Sequence, residues 1–280
     1  DVIGKRLDIN GVKKAREEEI YEFKKHGVYV KVPISECYKV TGKAPLKIRW
    51  IDINKGDDDN PNVRARLVAK EIKADSRLDM FAATPPLEAL KFLLHLWMTG
   101  GIGFDSKNKS EMKMDFIDIR RAYFHAESIR DVYIKLPPED DEPGMCGKLN
   151  KSMYGTRDAA QNWEKAYNEF MSEIGFESGI SGPCTFLHKQ MNLRVVVHGD
   201  DFTVLGHEDA LNWFRNRIQQ KFEVKFRGRL GSGQHDDKSI RILNRIVTWL
   251  PDRIEYEPDQ RHSEIIIRQM GLSDKDKSVS

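Results

Sequence analysis

Two consecutive aspartates, Asp200 and Asp201, stand between two runs rich in apolar and β-branched residues, at 193–198 and 202–205. This pattern predicts two antiparallel strands joined by a tight turn. Gly199 suits the first central position of a two-residue type II′ turn, which requires a positive φ. Two carboxylates held this close together repel each other unless a cation lies between them. Because hard oxygen ligands favour Mg²⁺ or Mn²⁺, the predicted hairpin is a candidate metal holder.

A further carboxylate is expected from residues 113–124, which indicate a buried strand followed by a helical turn. Asp118 stands at the end of this strand. Asp115 is the alternative ligand, but it lies an odd number of residues away and therefore faces the opposite side of the sheet. A purely structural interpretation remains open, in which Asp118 caps the following helix and the Asp200–Asp201 pair is a polar turn.

The composition is that of a globular protein with a sizeable core. The chain has 280 residues, of which 39% are hydrophobic and 32% charged, and it contains no run of 18 apolar residues that would span a membrane. Three cysteines without paired spacing argue against a zinc finger or a disulfide framework. The net charge of +2 supports nucleic-acid binding only weakly. The arginines and lysines at 215–229 could contact phosphates or form a solvated surface.

Hydrophobic periodicity predicts alternating helices and strands. Helices are expected at 11–26, 87–98, 158–174, 210–222 and 258–271. Strands are expected at 48–53, 63–69, 112–119, 184–189, 193–198 and 202–206, with a polar turn at 55–60 and a hairpin near 240–256. This order predicts an α+β fold in which a mixed sheet carries helices on one face.

Several motifs, taken together, resemble the reverse transcriptases of Ty1/copia-type retrotransposons. Asp118-x-x-x-Ala122-Tyr123, followed downstream by Asp200-Asp201, resembles palm motifs A and C of these polymerases. Three further segments are similar to stretches that occur in the same order in the family. These segments are 64–70 (RARLVAK), 131–138 (DVYIKLPP) and 148–155 (KLNKSMYG). The resemblance extends over residues 15–272.

The resemblance implies an RNA-directed DNA polymerase with a right-hand fold of palm and fingers. The mixed or antiparallel palm sheet would carry the catalytic hairpin. The implied regions are a lead-in and fingers-like region at 1–111, a palm at 112–227, and a palm end with the start of a thumb- or connection-like segment at 228–280. Because the chain starts with Asp1 rather than Met, we expect a fragment of a polyprotein that also carries RNase H and integrase domains.

The family also implies roles for individual residues. Asp118, Asp200 and Asp201 would be catalytic and would bind two Mg²⁺ ions, or Mn²⁺, with the carbonyl of Ile119 as a further ligand. Tyr123 would lie under the sugar of the incoming nucleotide and exclude a ribose 2′-hydroxyl. The alternative for Tyr123 is packing in the core, with its hydroxyl hydrogen-bonded nearby.

Three cations on one segment are candidates for binding the triphosphate. Arg64 and Arg66 alternate along a predicted strand and so share a face, where guanidinium groups match phosphate oxygens. Lys70 is the third candidate. The alternative is that all three are exposed charges on an edge strand.

The chain departs from the family at two places. Asp158 stands where the family has glutamine, and a carboxylate beside a triphosphate is unfavourable. Asp158 is therefore expected to cap the following helix and to leave Arg157 or Gln161 facing the substrate. The second departure is His198-Gly199 in place of the family's Tyr-Val, where glycine relaxes the turn.

The implied partners are an RNA/DNA primer–template and deoxynucleotides, with no membrane. The implied location is intracellular, in a cytoplasmic virus-like particle, in the nucleus, or in both, and the sequence does not indicate an oligomeric state. Two other functions stay open. One is a decayed copy that folds and binds nucleic acid without catalysis, and the other is a metal-dependent phosphohydrolase on a similar fold.

Overall fold

The structure is a computed structural model that describes residues 7–56, 60–71, 82–102, 112–243, 245–258 and 261–272. It is an α+β fold whose named sheets are built from antiparallel strand pairs. The first half contains α1 (Ile9–Lys25), β1 (Tyr29–Pro33), α2 (Ile34–Thr41), β2 (Ile48–Asn54), β3 (Val63–Ala69), α3 (Leu87–Trp97), β4 (Lys113–Ile119), β5 (Tyr133–Ile134) and β6 (Met145–Leu149). The second half contains α4 (Ala159–Glu173), β7 (Glu177–Ser178), β8 (Thr185–His188), β9 (Leu193–His198), β10 (Asp201–Gly206), α5 (Glu208–Lys221), β11 (Val224–Leu230), β12 (Ser239–Ile242), β13 (Arg245–Trp249), β14 (Ile254–Pro258) and α6 (Arg261–Gln269).

The chain divides into two compact units. Unit 1 consists of Asp1–Thr84, Arg120–Gly175 and Lys221–Glu223, and unit 2 consists of Pro85–Ile119, Phe176–Gln220 and Val224–Ser280. Both units therefore draw on segments that are distant in the sequence. In the described part of the chain, no helix is long and apolar enough to cross a membrane.

Unit 1 is built around two small sheets, with strand orders β1-β6-β5 and β2-β3. The side chain of Asp8 begins α1 by accepting a hydrogen bond of 2.6 Å from the backbone N–H of Gly11, which satisfies one of the free donors at a helix start. Apolar residues of α1 recur at helical spacing, and Ile20 and Phe23 pack with Leu67 of β3 in one buried cluster. Burial of this stripe fixes the helix to the hairpin of β2 and β3.

Unit 2 is built around a six-stranded sheet with the order β11-β4-β10-β9-β8-β7. The β4 strand is buried along most of its length between β11 and β10. Met114 and Phe116 pack against Trp97 of α3, in a cluster that also receives residues of the β12-β13-β14 sheet. The sheet therefore holds the end of β4, where Asp118 lies, in a rigid position.

Most of the predicted elements are confirmed within one to three residues, including the α+β class. The polar turn predicted at 55–60 lies partly outside the described residues, because 57–59 are not among them. The expectation of helices on one face is wrong for unit 2. Phe116 packs toward α3, whereas Asp115, which points to the other side of β4, is bound by Arg215 of α5. Both faces of a central buried strand need apolar or paired partners, so both are covered.

Candidate functional site

The β9–β10 hairpin has the predicted tight turn. His198 pairs with Asp201, so Gly199 and Asp200 are the two turn residues. Gly199 has a φ of +64°, and Asp200 is not among the residues of positive φ, as a type II′ turn requires. The carbonyl of Asp200 accepts a hydrogen bond of 2.8 Å from the N–H of Ile119. The turn is thereby tied to the end of β4.

The register of the sheet brings Asp118 and Asp201 together. The two residues are direct partners in the antiparallel pairing of β4 with β10. Directly opposite residues of antiparallel strands place their side chains on the same face. Asp200 is the preceding residue and is exposed at the turn. The three predicted acidic ligands therefore lie at one end of the unit 2 sheet.

The pKa of Asp201 reflects its burial and the charged groups around it. Burial, which disfavours the charged form, raises the pKa of Asp201 to about 6. The positive charge of Arg227 opposes this shift, and the negative charges of Asp200 and Asp118 add to it. Among the described residues, no donor hydrogen-bonds to the buried Oδ1 of Asp201. Arg227 Nη2 lies 3.4 Å from that oxygen, within ion-pair range but outside hydrogen-bonding geometry.

The donor set fits a divalent cation. Carboxylate oxygens are the hard ligands that Mg²⁺ and Mn²⁺ take in proteins. Asp201 Oδ1 accepts no hydrogen bond from the described residues, so its lone pairs can bind a cation. A cationic group, the Arg227 guanidinium, already lies between Asp118 and Asp201. Among the described residues, one set of three has potential ligand atoms that all lie within 4.8 Å of one another, and it consists of Glu22, His26 and Glu223. The carboxylates of Asp118, Asp200 and Asp201 do not lie as close together.

That tighter set in unit 1 is an ion-paired cluster. Lys25 Nζ lies 3.2 Å from Glu22 and 3.1 Å from Glu223, so the carboxylates are already matched by a cation. His26 lies 3.4 Å from Glu22. These contacts give the cluster a structural explanation as charge pairing at the unit 1 surface.

His125 lies next to this cluster and makes the stability of unit 1 depend on pH. Burial, together with the charge of the neighbouring His26, lowers the pKa of His125 to about 4. A histidine in the unfolded chain titrates at about 6.5. Between pH 4 and pH 6.5 the unfolded state binds a proton at His125 that the folded state does not. The stability that depends on neutral His125 is therefore fully present above pH 6.5 and is lost as the pH falls through this range.

We expect the free energy of unfolding to fall by about 2 kcal/mol from this group alone between pH 7.5 and pH 5. Urea unfolding of the wild type and of His125→Gln at both pH values measures it, because the variant should lack that part of the decrease. His235→Gln, which changes an exposed histidine, is the control. Equal pH dependence in the wild type and His125→Gln would contradict the expectation.

Asp115, the alternative metal ligand, has a different partner. Its side chain is only 1% exposed. Two arginines bind it with two hydrogen bonds each, at 2.6 and 2.8 Å from Arg215 and at 2.6 and 2.8 Å from Arg229. The prediction that Asp115 faces away from Asp118 is confirmed. Two of the cations that the sequence suggested for phosphate contacts are instead bound inside unit 2.

The cations predicted to bind the triphosphate lie in unit 1. Arg64 and Arg66 are exposed on β3, where they alternate with buried Ala65 and Leu67 and so share a face. Lys70 follows the strand and is exposed. The exposed positions are compatible with phosphate binding and also with the alternative of surface charges.

Tyr154, for which the sequence predicts no role, lies between Tyr123 and Arg66 and contacts both. The guanidinium of Arg66 lies over the ring of Tyr154, 5.0 Å from its centroid. The Tyr154 and Tyr123 rings are 5.0 Å apart and meet edge to face. Tyr123 is partly exposed rather than buried in the core. Tyr154 could have been noticed because it belongs to the 148–155 motif.

The family departure at Asp158 has a structural compensation, but the predicted helix cap is wrong. Asp158 stands at the N-cap position of α4, yet its side chain makes no capping hydrogen bond. Its carboxylate instead lies 2.6 Å from Arg130, which also pairs with Glu71 at 2.9 Å. The backbone N–H of Arg157 donates to Glu71 at 2.8 Å. Burial favours the neutral acid, but Arg130 holds the pKa of Asp158 below its usual value.

Comparisons with known proteins point to the same family as the sequence motifs. A family model described as "Reverse transcriptase (RNA-dependent DNA polymerase)" matches residues 36–232. The chain is 25% identical over 228 residues to the "Retrovirus-related Pol polyprotein from transposon TNT 1-94" of Nicotiana tabacum, which covers 77% of this chain and 16% of that polyprotein. It is 27% identical over 188 residues to the transposon RE1 polyprotein of Arabidopsis thaliana, covering 63% of this chain and 12% of that protein.

A yeast relative extends the comparison to the Ty1 elements. The chain is 24% identical over 126 residues to the "Transposon Ty1-DR4 Gag-Pol polyprotein" of Saccharomyces cerevisiae, covering 45% of this chain and 8% of that protein. The chain thus spans less than a fifth of the length of each of these polyproteins. Since the family match covers more than half of the chain, the protein belongs to the reverse transcriptase (RNA-dependent DNA polymerase) family, in its copia-type branch.

Proposed function

We propose that the chain is the palm and fingers part of an RNA-directed DNA polymerase and extends a primer by two-metal nucleotidyl transfer. The observation that carries the proposal is the register of β4 with β10, which places Asp118 opposite Asp201 beside the Asp200 turn. The regions at 1–111, 112–227 and 228–280 would be the fingers-like, palm and thumb- or connection-like parts. Membership of the family supports the same reaction.

The acidic residues of unit 2 would hold the metals. Asp118, Asp200 and Asp201 would supply carboxylate oxygens, and the carbonyl of Ile119 a further ligand. Two Mg²⁺ ions, or Mn²⁺, would lower the pKa of the primer 3′-hydroxyl and neutralise charge on the triphosphate. Asp200 accepts a hydrogen bond from the Ile119 N–H, so the sheet positions the turn before any ligand binds.

Residues of unit 1 would bind the nucleotide. The exposed Arg66, already oriented by Tyr154, would contact phosphate oxygens, with Arg64, Lys70 and Arg157 as further cations. The ring of Tyr123 would exclude a ribose 2′-hydroxyl, because a bulky group rejects one extra oxygen without burying a polar partner. RNase H and integrase domains would lie elsewhere on the parent polyprotein, which would act in a cytoplasmic virus-like particle or in the nucleus.

Primer extension on an RNA template with Mg²⁺ tests the proposal. We expect the wild type to add deoxynucleotides and Asp200→Asn to slow extension at least about 100-fold, because one ligand charge at the metals is lost. Asp209→Asn is the matched control, since Asp209 is an exposed aspartate at the start of α5 in the same unit. It should extend at the wild-type rate.

Three results would contradict the proposal or its assignment of residues. Binding of primer–template without any extension by the wild type would indicate a catalytically decayed copy. Release of free phosphate from the triphosphate without extension would indicate a phosphohydrolase. Extension that is equally fast in Asp200→Asn would remove the assigned role of the acidic turn.

A further inference from the structure

A guanidinium group joins two of the three acidic residues at the end of the unit 2 sheet. Arg227 Nη2 donates a hydrogen bond to Asp118 Oδ2 and lies 3.4 Å from Asp201 Oδ1. The Asp118 and Asp201 side chains are 18% and 14% exposed, and that of Arg227 is 38% exposed. The oxygen of Asp201 nearest to the guanidinium, Oδ1, is buried, so the ion pair lies partly out of water. Ion pairs there are screened less by water than pairs at an open surface.

A β-bulge sets the position of Arg227. Phe226 pairs with Ile117 and Gly228 pairs with Phe116, so Arg227 is the extra residue of β11 and has no partner in the β4 ladder. Bulges bend a strand locally and direct a side chain to a place that regular pairing would not reach. Here the side chain reaches across to Asp118.

The segment after the bulge is held in place by its own contacts. Asp237 accepts a hydrogen bond of 3.0 Å from the N–H of Arg229, and its own N–H donates to the Arg229 carbonyl at 2.7 Å. A Cβ atom on Gly228 would lie 2.3 Å from Asp237 Oδ2. Arg229 is also bound to Asp115 through its guanidinium. Arg227 thus projects from a fixed backbone and not from a free loop.

A divalent metal would need the same oxygen atoms. Two positive charges within about 4 Å of each other repel strongly where solvent is partly excluded. Asp118 Oδ2 cannot donate its lone pairs fully to a metal while it accepts the hydrogen bond of Arg227. The guanidinium and the metal therefore bind in competition.

We propose that Arg227 is an internal counter-ion of the acidic site, which neutralises Asp118 and Asp201 and which a divalent cation must displace. This inference rests on the proposed function, since it takes Asp118 and Asp201 as metal ligands. It predicts two opposite effects of removing the guanidinium. Metal affinity rises because the competitor is gone, and stability without divalent metal falls because the carboxylates repel one another.

Titration with Mn²⁺, followed by the electron paramagnetic resonance signal of the free ion, measures the first effect. We expect Arg227→Gln to bind Mn²⁺ about tenfold more tightly than the wild type, a change typical of coupled sites. Arg227→Lys keeps the charge and should restore most of the competition. Lys189→Gln removes an exposed positive charge beside the start of β9, at the opposite end of that strand from the Asp200 turn, and should change the affinity less than about twofold.

A double variant assigns the binding to this site. The gain in affinity should disappear in Asp118→Asn/Arg227→Gln, which separates the site from other acidic clusters such as Glu22, His26 and Glu223. Urea unfolding without divalent metal measures the second effect, and Arg227→Gln should unfold at a lower urea concentration than Lys189→Gln.

The outcomes distinguish the two proposals. Mn²⁺ binding that depends on Asp118 but is equally tight in the wild type and Arg227→Gln overturns the role of Arg227 and leaves the metal site intact. Absence of any Mn²⁺ binding that depends on Asp118, in both proteins, overturns the metal site and with it the proposed polymerase. Binding that tightens as much in Lys189→Gln as in Arg227→Gln would reduce the effect to general charge and would also overturn the inference.

Discussion

Asp115→Asn is expected to lower the free energy of unfolding of unit 2 by about 3–5 kcal/mol, the cost of removing one partner from a buried ion pair. The carboxylate is 1% exposed and receives four hydrogen bonds from Arg215 and Arg229. Asparagine has nearly the same shape but no charge, and its amide nitrogen cannot accept a hydrogen bond. The two guanidinium groups would then face each other with the exposed Glu208, which lies 3.5 Å from Arg229, as a nearby counter-charge.

Asp118→Asn is the matched control, because it makes the same change three residues later on the same strand. Its side chain is more exposed, it pairs with the single guanidinium of Arg227, and it stands opposite another carboxylate. We expect less than about 1 kcal/mol, since the loss of repulsion between Asp118 and Asp201 offsets the loss of attraction to Arg227.

Urea unfolding followed by circular dichroism and by tryptophan fluorescence, to which the buried Trp97 of unit 2 contributes, measures both variants. If Asp115→Asn and Asp118→Asn were equally stable, the two buried arginine contacts would not hold the sheet together. The comparison also separates structural from functional aspartates, since only Asp118→Asn should change Mn²⁺ binding without unfolding the unit.

The contrast between these aspartates shows what local sequence patterns can predict. The alternation of a strand was enough to place Asp115 and Asp118 on opposite faces, and Gly199 was enough to predict the turn. The partners of Asp115 were not predictable, because Arg215 and Arg229 are 100 and 114 residues away in the chain. Pairing over such distances depends on the tertiary fold and leaves no periodic signal.

The β1-β6-β5 sheet of unit 1 was missed for a related reason. Strands β1 and β6 have five residues each and β5 has two, which is too short for a periodic pattern to stand out. The 131–138 and 148–155 motifs were recognised by family resemblance, although their strand pairing was not. Tyr154 likewise had no assigned role, because its contact with Arg66 joins segments far apart in the chain.

Backbone contact between the β3 strand and the segment that carries Tyr154 explains why residue 155 is glycine. Ala69 N–H donates to the Tyr154 carbonyl at 2.8 Å. Gly155 has a φ of +86°, and a Cβ atom there would lie 2.0 Å from the Ala69 carbonyl oxygen and 2.6 Å from Val68 Cγ1. The backbone of Ala69 and that of Gly155 cannot move apart without breaking the hydrogen bond between Ala69 and Tyr154.

Gly155→Ala is therefore expected to destabilise unit 1 by about 2–5 kcal/mol, which combines about 1–2 kcal/mol for the left-handed backbone with about 1–3 kcal/mol for overpacking. Gly144→Ala isolates the first part, because Gly144 has a φ of +78° and no atom of the described residues lies within 4 Å of its Cβ position. It should cost only about 1 kcal/mol.

Urea unfolding followed by circular dichroism and by tryptophan fluorescence, to which the buried Trp163 of unit 1 contributes, measures the difference between the two variants. Equal losses would mean that the close approach of Gly155 to Ala69 contributes nothing. A larger loss in Gly155→Ala would show that this contact holds the strand carrying Arg66 against the segment carrying Tyr154. The group of Arg66, Tyr154 and Tyr123, which we propose binds the nucleotide, would then depend on the close packing of this glycine.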